Sequence, residues 1–154
     1  MPGEWKPTGG RDTLVDVRLN TGIFNGRPIY IHMTSLLGYT AINNASQISC
    51  APNTARRGQA AKQGIYLNPS TQPFSPEEAH TLLFFDEPRY AQSATHCFIF
   101  AFRDAVVVED FPISQYSWVR EIIYRGDINF RDIDLLYRGP NQFVSLTKQN
   151  HHRG

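Results

Sequence analysis

Read for its alternation of apolar and polar positions, the chain is a series of short β-prone runs broken by Gly, Pro and Asn. Thr13-Leu-Val-Asp-Val-Arg-Leu19 alternates with a period of two, the pattern of a strand with one buried face. Asn25-Gly26 is a two-residue hairpin signal, since both residue types tolerate positive φ. It opens onto an apolar run from Pro28 to Met33 that predicts the first core strand. From Ser35 the apolar positions Leu36, Leu37, Ala41 and Ile42 have helical spacing, and Thr34 or Ser35 can cap the first turn. Gln47-Ile-Ser-Cys50 suits a short strand, while 51–63 shows no period and reads as a loop. Gly64 to Leu67 is strand-like until Asn68-Pro69-Ser70 stops it.

Ser75-Pro76-Glu77-Glu78 is a strong helix start: Ser can cap, Pro fits the first helical position, and Glu78 can return a hydrogen bond to the cap. The helix is expected to run to about Phe85. Thr95 to Phe102 and Ala105 to Val108 flank Arg103-Asp104 like the arms of a tight hairpin, and Glu121 to Tyr124 forms another strand. Arg131 to Tyr137 suits a last strand or one helical turn. Many strands with two or three short helices predict an α+β domain. Residues 1–27 read as a lead-in and 28–150 as the domain itself.

Composition narrows the class. A chain of 154 residues can remove roughly two thirds of its unfolded surface from water without a disulfide framework. No window approaches the roughly 20 consecutive apolar residues that span a bilayer, so no membrane role is expected. Met1-Pro-Gly-Glu-Trp-Lys6 lacks the basic start and apolar core of a signal peptide, so export is expected to use another route or a larger parent chain. A formal net charge of +1 gives no general field for a polyanion, although Arg56-Arg57 with Lys62 forms a local basic cluster. Cys50 and Cys97 are expected to be thiols, and no Cys-x-x-Cys or His-Glu-x-x-His spacing supports a metal. There is neither a phosphate-cradling Gly-x-x-x-x-Gly-Lys-Ser/Thr nor a Gly-x-Ser-x-Gly elbow.

The candidate chemistry lies on three runs. His32 sits inside the first apolar run, just before Thr34 and Ser35. Tyr66 follows in Gly64-Ile-Tyr-Leu67, and Glu121 opens Glu121-Ile-Ile-Tyr-Arg-Gly-Asp-Ile128. An imidazole, a phenol ring and a carboxylate on three short strands are expected to converge on one ligand. These residues, in this order and spacing, resemble the His, Tyr and Glu motifs of ADP-ribosyltransferases of the diphtheria-toxin and PARP type. They are most similar to the small transferase domains of bacterial polymorphic toxins, and the resemblance covers roughly residues 28–137. Met33 departs from the glycine that commonly follows the histidine in the PARP branch and matches the bulkier residue of toxin members.

The resemblance implies a split β-sheet core and a co-substrate, NAD+, with no metal. The bond from ribose to nicotinamide joins a leaving group that is already cationic and departs neutral, so only the oxocarbenium-like sugar needs stabilising. Glu121 would then bind the ribose 2′-hydroxyl and orient or deprotonate the acceptor. Tyr66 would stack on nicotinamide, worth about 1 kcal/mol beyond burial. His32 would bond a ribose hydroxyl and the backbone of Met33 the carboxamide. Gly64 would belong to the NAD+-binding set, and Thr34 or Ser35 would help hold the pyrophosphate side. Arg56 and Arg57 with Lys62 would anchor the phosphates. Phe74, Phe84, Phe85 and Tyr90 are all candidates to cover the other nicotinamide face.

The implied activity is mono-ADP-ribosylation of a macromolecule, by default a protein, with RNA or DNA as the alternative acceptor. Such a toxin acts in the cytoplasm of a target cell after secretion or delivery, and a cognate immunity protein is a partner to look for. Two alternatives stay open: an NAD+ glycohydrolase toxin and a non-catalytic binding domain.

Overall fold

The computed structural model of the chain describes residues 3–5, 22–50, 64–72, 74–83, 88–113 and 116–145. The first strand is β1 (Gly3–Trp5), and β2 (Ile23–Phe24) leads into β3 (Arg27–Thr34). Asn25 at φ 51° and Gly26 at φ 75° close the β2–β3 hairpin. Both angles are left-handed, which is why the sequence places Asn-Gly there. Helix α1 (Leu36–Ala45) starts where Ser35 Oγ accepts the Gly38 N–H at 3.1 Å and ends at Ser46 in the left-handed region. Strand β4 (Gln47–Ile48) follows.

Next come β5 (Ile65–Pro69) and α2 (Pro76–Leu82), the latter opened by the predicted capping box between Ser75 and Glu78. A 3₁₀ turn (Pro88–Tyr90) precedes β6 (His96–Phe102), β7 (Glu109–Ile113), β8 (Tyr116–Tyr124) and β9 (Ile128–Asn129). A second 3₁₀ turn (Phe130–Asp132) leads to β10 (Ile133–Pro140) and β11 (Phe143–Ser145).

The main sheet has the strand order β10-β6-β3-β5-β8-β7, with β2 paired to β3, and every described strand pair is antiparallel. The class is α+β, as expected. Strand β5 changes partner along its length. Asn68 and Pro69 pair with Ile31 and Tyr30 of β3, whereas Ile65 to Leu67 pair with Tyr124 to Ile122 of β8. Beyond Ile31 and before Asn68 the sheet therefore opens between β3 and β5.

Both faces are covered. On one, Tyr30, Leu67, Phe98, Phe100 and Ile122 pack beneath Tyr39 and Ile42 of α1, with the Tyr39 ring stacked 5.1 Å from Phe98. On the other, Ile29, Ile31, Cys97 and Ile99 pack with Phe143 of β11. Each fully buried aliphatic or aromatic side chain contributes about 1.5–3 kcal/mol of transfer free energy.

Several expectations are corrected by strand partnership. Ala105 to Val108 forms no hairpin with β6, because both edges of β6 are taken by β3 and β10. Asn68 and Pro69 continue β5 rather than stopping it, since their partner is a strand 37 to 39 residues earlier. Helix α2 ends at Leu82, before Phe85, with Leu83 as its cap. The 131–137 region is both alternatives in succession, a 3₁₀ turn and then a strand. Helix α1 lies on the core through Tyr39 and Ile42, leaving Leu37 82% exposed. Within 1–27, β1 pairs with β11 and β2 with β3. Thr13 to Leu19 lies outside the described residues. No helix among the described residues is long and apolar enough to cross a membrane.

Candidate functional site

The opening between β3 and β5 is bridged by one side chain. His32 Nδ1 lies 3.0 Å from the carbonyl oxygen of Tyr66. A carbonyl can only accept, so Nδ1 carries the proton and donates. In the neutral ring the other nitrogen, Nε2, is then the acceptor.

Around this bridge lies an open cleft of about 680 Å³, inside the range of roughly 300–1,000 Å³ usual for small-molecule sites. The end of β3 supplies His32, Met33 and Thr34, and the start of α1 supplies Ser35 and Gly38. Gly64 and Tyr66 of the β5 segment form the facing wall, and Tyr90 and Ser93 close one side. The described lining includes no Asp, Glu, Lys or Arg. Its polar groups are hydroxyls, a carboxamide and an imidazole, a set that hydrogen-bonds sugar hydroxyls and leaves an anion to be met by backbone N–H groups or by residues outside the described lining.

Two glycines are required by close approach. A Cβ at Gly64 would sit 2.4 Å from Ile123 Cγ2, so the β5 backbone lies directly against β8. A Cβ at Gly38 would sit 2.1 Å from Thr34 Oγ1, so α1 starts tight against the end of β3.

Five of the residues expected to bind the ligand, His32, Met33, Thr34, Gly64 and Tyr66, are thus brought together from two strands distant in sequence. Glu121 stands differently. Tyr66 is opposite Ile123 in the β5–β8 register, and alternation puts Glu121 on the same sheet face as Tyr66, one diagonal step away. Its residue is 0% exposed and does not line the cleft. Arg56, Arg57 and Lys62 lie outside the described residues. Of the four aromatics expected to compete for the second nicotinamide face, Tyr90 lines the cleft, whereas Phe74 is 1% exposed in a core cluster with Ala79, Leu83 and Ala94. Phe84 and Phe85 lie outside the described residues.

Sequence reasoning missed Arg125, the other diagonal neighbour of Tyr66 on this face. Its guanidinium pairs with Glu109, which raises its pKa, and the Cys50 thiol and Tyr66 phenol act on it more weakly. No spacing rule flags it, because Glu109 reaches it from a neighbouring strand.

Both cysteines are free thiols. Burial pushes the Cys97 thiol far up, which makes it inert as a nucleophile at neutral pH. No group of three or more His, Cys, Asp or Glu side chains suited to a metal ion occurs among the described residues.

Fold and cleft together define a class: an α+β protein whose antiparallel sheet opens at one strand junction into a ligand-sized cleft. No family model, curated protein or solved structure matches the chain.

Proposed function

We propose that the chain is a mono-ADP-ribosyltransferase domain of the His-Tyr-Glu type that cleaves NAD+ and transfers ADP-ribose to a macromolecular acceptor. The observation that carries this reading is the His32–Tyr66 bridge across an opened sheet, with the cleft built around it. The opening itself supports the split-sheet architecture that the motifs imply. His32 and Tyr66 lie in different strands and meet only because β5 changes partner at Asn68.

In this reading nicotinamide lies between the rings of Tyr66 and Tyr90, held by offset stacking on their faces. The His32 imidazole meets a ribose hydroxyl, and Thr34, Ser35 and the first turn of α1 face the pyrophosphate. Glu121 stabilises the oxocarbenium-like sugar. Diagonal residues of an antiparallel pair lie about 7–8 Å apart at Cα, within reach of a glutamate and a ligand seated on the tyrosine. The acceptor class is a protein, with nucleic acid as the alternative, and the setting is a delivered toxin acting in a target cell.

The burial of Glu121 favours a second reading, a nucleotide-binding module in which this carboxylate is structural and no turnover occurs. Radiolabelled NAD+ incubated with a cell lysate separates the two. The wild-type chain is expected to label macromolecules, and Glu121→Gln to lower labelling at least about 100-fold while still binding NAD+, the scale at which lost transition-state electrostatics are felt. Equal labelling by both chains sinks the transferase assignment. Nicotinamide release without labelled macromolecules assigns a glycohydrolase instead.

A further inference from the structure

We propose that Asn141 is a positioning residue for the cleft, one that fixes the wall carrying Tyr90 and Ser93 against Met33 of β3 without lining the cavity itself. Asn141 follows β10 and is 9% exposed. Its carboxamide is fully engaged. Nδ2 donates to the carbonyls of Phe74 at 3.1 Å and Ala94 at 3.0 Å, and Oδ1 accepts the Phe143 N–H at 3.0 Å. Its backbone N–H donates to the Thr95 carbonyl at 2.8 Å, and Nδ2 lies 3.9 Å from Met33 Sδ. One residue therefore ties the end of β3, the approach to α2, the end of the 88–95 segment and β11.

The 88–95 segment depends on that tie. It belongs to no strand and carries local turns, Ala91 N–H to Pro88 O and Ser93 N–H to Tyr90 O. It is joined to the rest of the molecule through the small cluster of Phe74, Ala79, Leu83 and Ala94, on which Tyr90 and Met33 pack. Asn141 bonds the backbone at two of those cluster residues. Only a carboxamide offers two donors and an acceptor in so small a side chain. Without the donors, both carbonyls lose these hydrogen bonds, and the segment replaces them with bonds to water by moving outward, which widens the cleft at Tyr90.

For its ligand this inference rests on the NAD+ reading. Its structural part does not, and the experiment keeps the two apart. Full-length wild type and Asn141→Asp are compared by hydrogen exchange and by calorimetric titration with NAD+. At about pH 7.5 the introduced carboxylate turns an oxygen toward the Phe74 and Ala94 carbonyls, whereas at about pH 4.5, near the carboxyl titration range, protonation returns one donor. The expected result at the higher pH is exchange in 88–95 quickened about tenfold or more, with the β6 amides unchanged. NAD+ binding weakens about tenfold, and both differences from wild type narrow at the lower pH.

In turnover KM rises and kcat holds. Should Asn141→Asp fail to fold, Asn141→Ser keeps one donor, adds no charge and is read the same way. Unchanged exchange in 88–95, or exchange accelerated equally in β6, overturns the proposal. A wild-type chain that does not bind NAD+ defeats the functional reading alone, and the exchange pattern still decides the role of Asn141.

Discussion

At the scale of single residues, the cleft depends on glycines as well as on the side chains that line it. Gly38 occupies the first turn of α1, where Ala would ordinarily gain about 1 kcal/mol of helix propensity. The 2.1 Å approach to Thr34 Oγ1 reverses that sign. Thr34 is β-branched and stiff at χ1, so it cannot swing away without leaving its rotamer or pushing the helix start outward. Gly38→Ala is therefore expected to destabilise the chain by about 1–3 kcal/mol, the usual range for overpacking. That corresponds to a melting temperature lower by roughly 2–12 °C for a chain of this size. Calorimetry checks it, and an unchanged or raised melting point would show that the helix start has slack.

At the scale of elements, the strand junction separates what can be read locally from what cannot. The Asn25-Gly26 turn and the Ser75–Glu78 capping box were legible because each is decided by residues within four positions of one another. Partner choice is decided elsewhere in the chain. Asn68-Pro69 has every local sign of a strand stop, yet it pairs with β3. Ala105 to Val108 has every local sign of a hairpin arm, yet its intended partner is occupied on both sides. The candidate site divides the same way. His32 and Tyr66 could be named from their motifs, but that Tyr90 lines the cleft while Phe74 is buried follows from how the 88–95 segment is held.

The junction also yields a test that separates holding from binding. In His32→Asn the amide nitrogen falls near the place of Nδ1 and can still donate to the Tyr66 carbonyl, but nothing replaces Nε2. Stability is expected to stay within about 1 kcal/mol of wild type, while NAD+ affinity falls. In His32→Ala both are lost, with about 1–3 kcal/mol of destabilisation from the unpartnered carbonyl. Urea unfolding and NAD+ titration on the two variants check this. If His32→Asn binds NAD+ as wild type does, the imidazole is a strand bridge and no ligand contact.

At the scale of the whole molecule, the two ends of the described chain meet, since Gly3–Trp5 pairs with Phe143–Ser145. On the β1 side the backbone supplies three paired residues, each hydrogen bond worth about 0.5–1.5 kcal/mol net, set against about 1–2 kcal/mol per residue of lost backbone freedom. The balance is close to zero. On the β11 side Phe143 is 4% exposed, packs with Ile29, Ile31 and Ile99, and has its N–H held by Asn141 whether or not β1 is present. Removing residues 1–6 is therefore expected to lower the melting temperature by at most about 4 °C, the equivalent of about 1 kcal/mol. Phe143→Ala is expected to cost about 3–5 kcal/mol, as for other buried rings. Differential scanning calorimetry on the two variants gives both numbers. A truncated chain that fails to fold would mean that the domain begins at its first strand, and that the segment before Pro28 is structural and no lead-in.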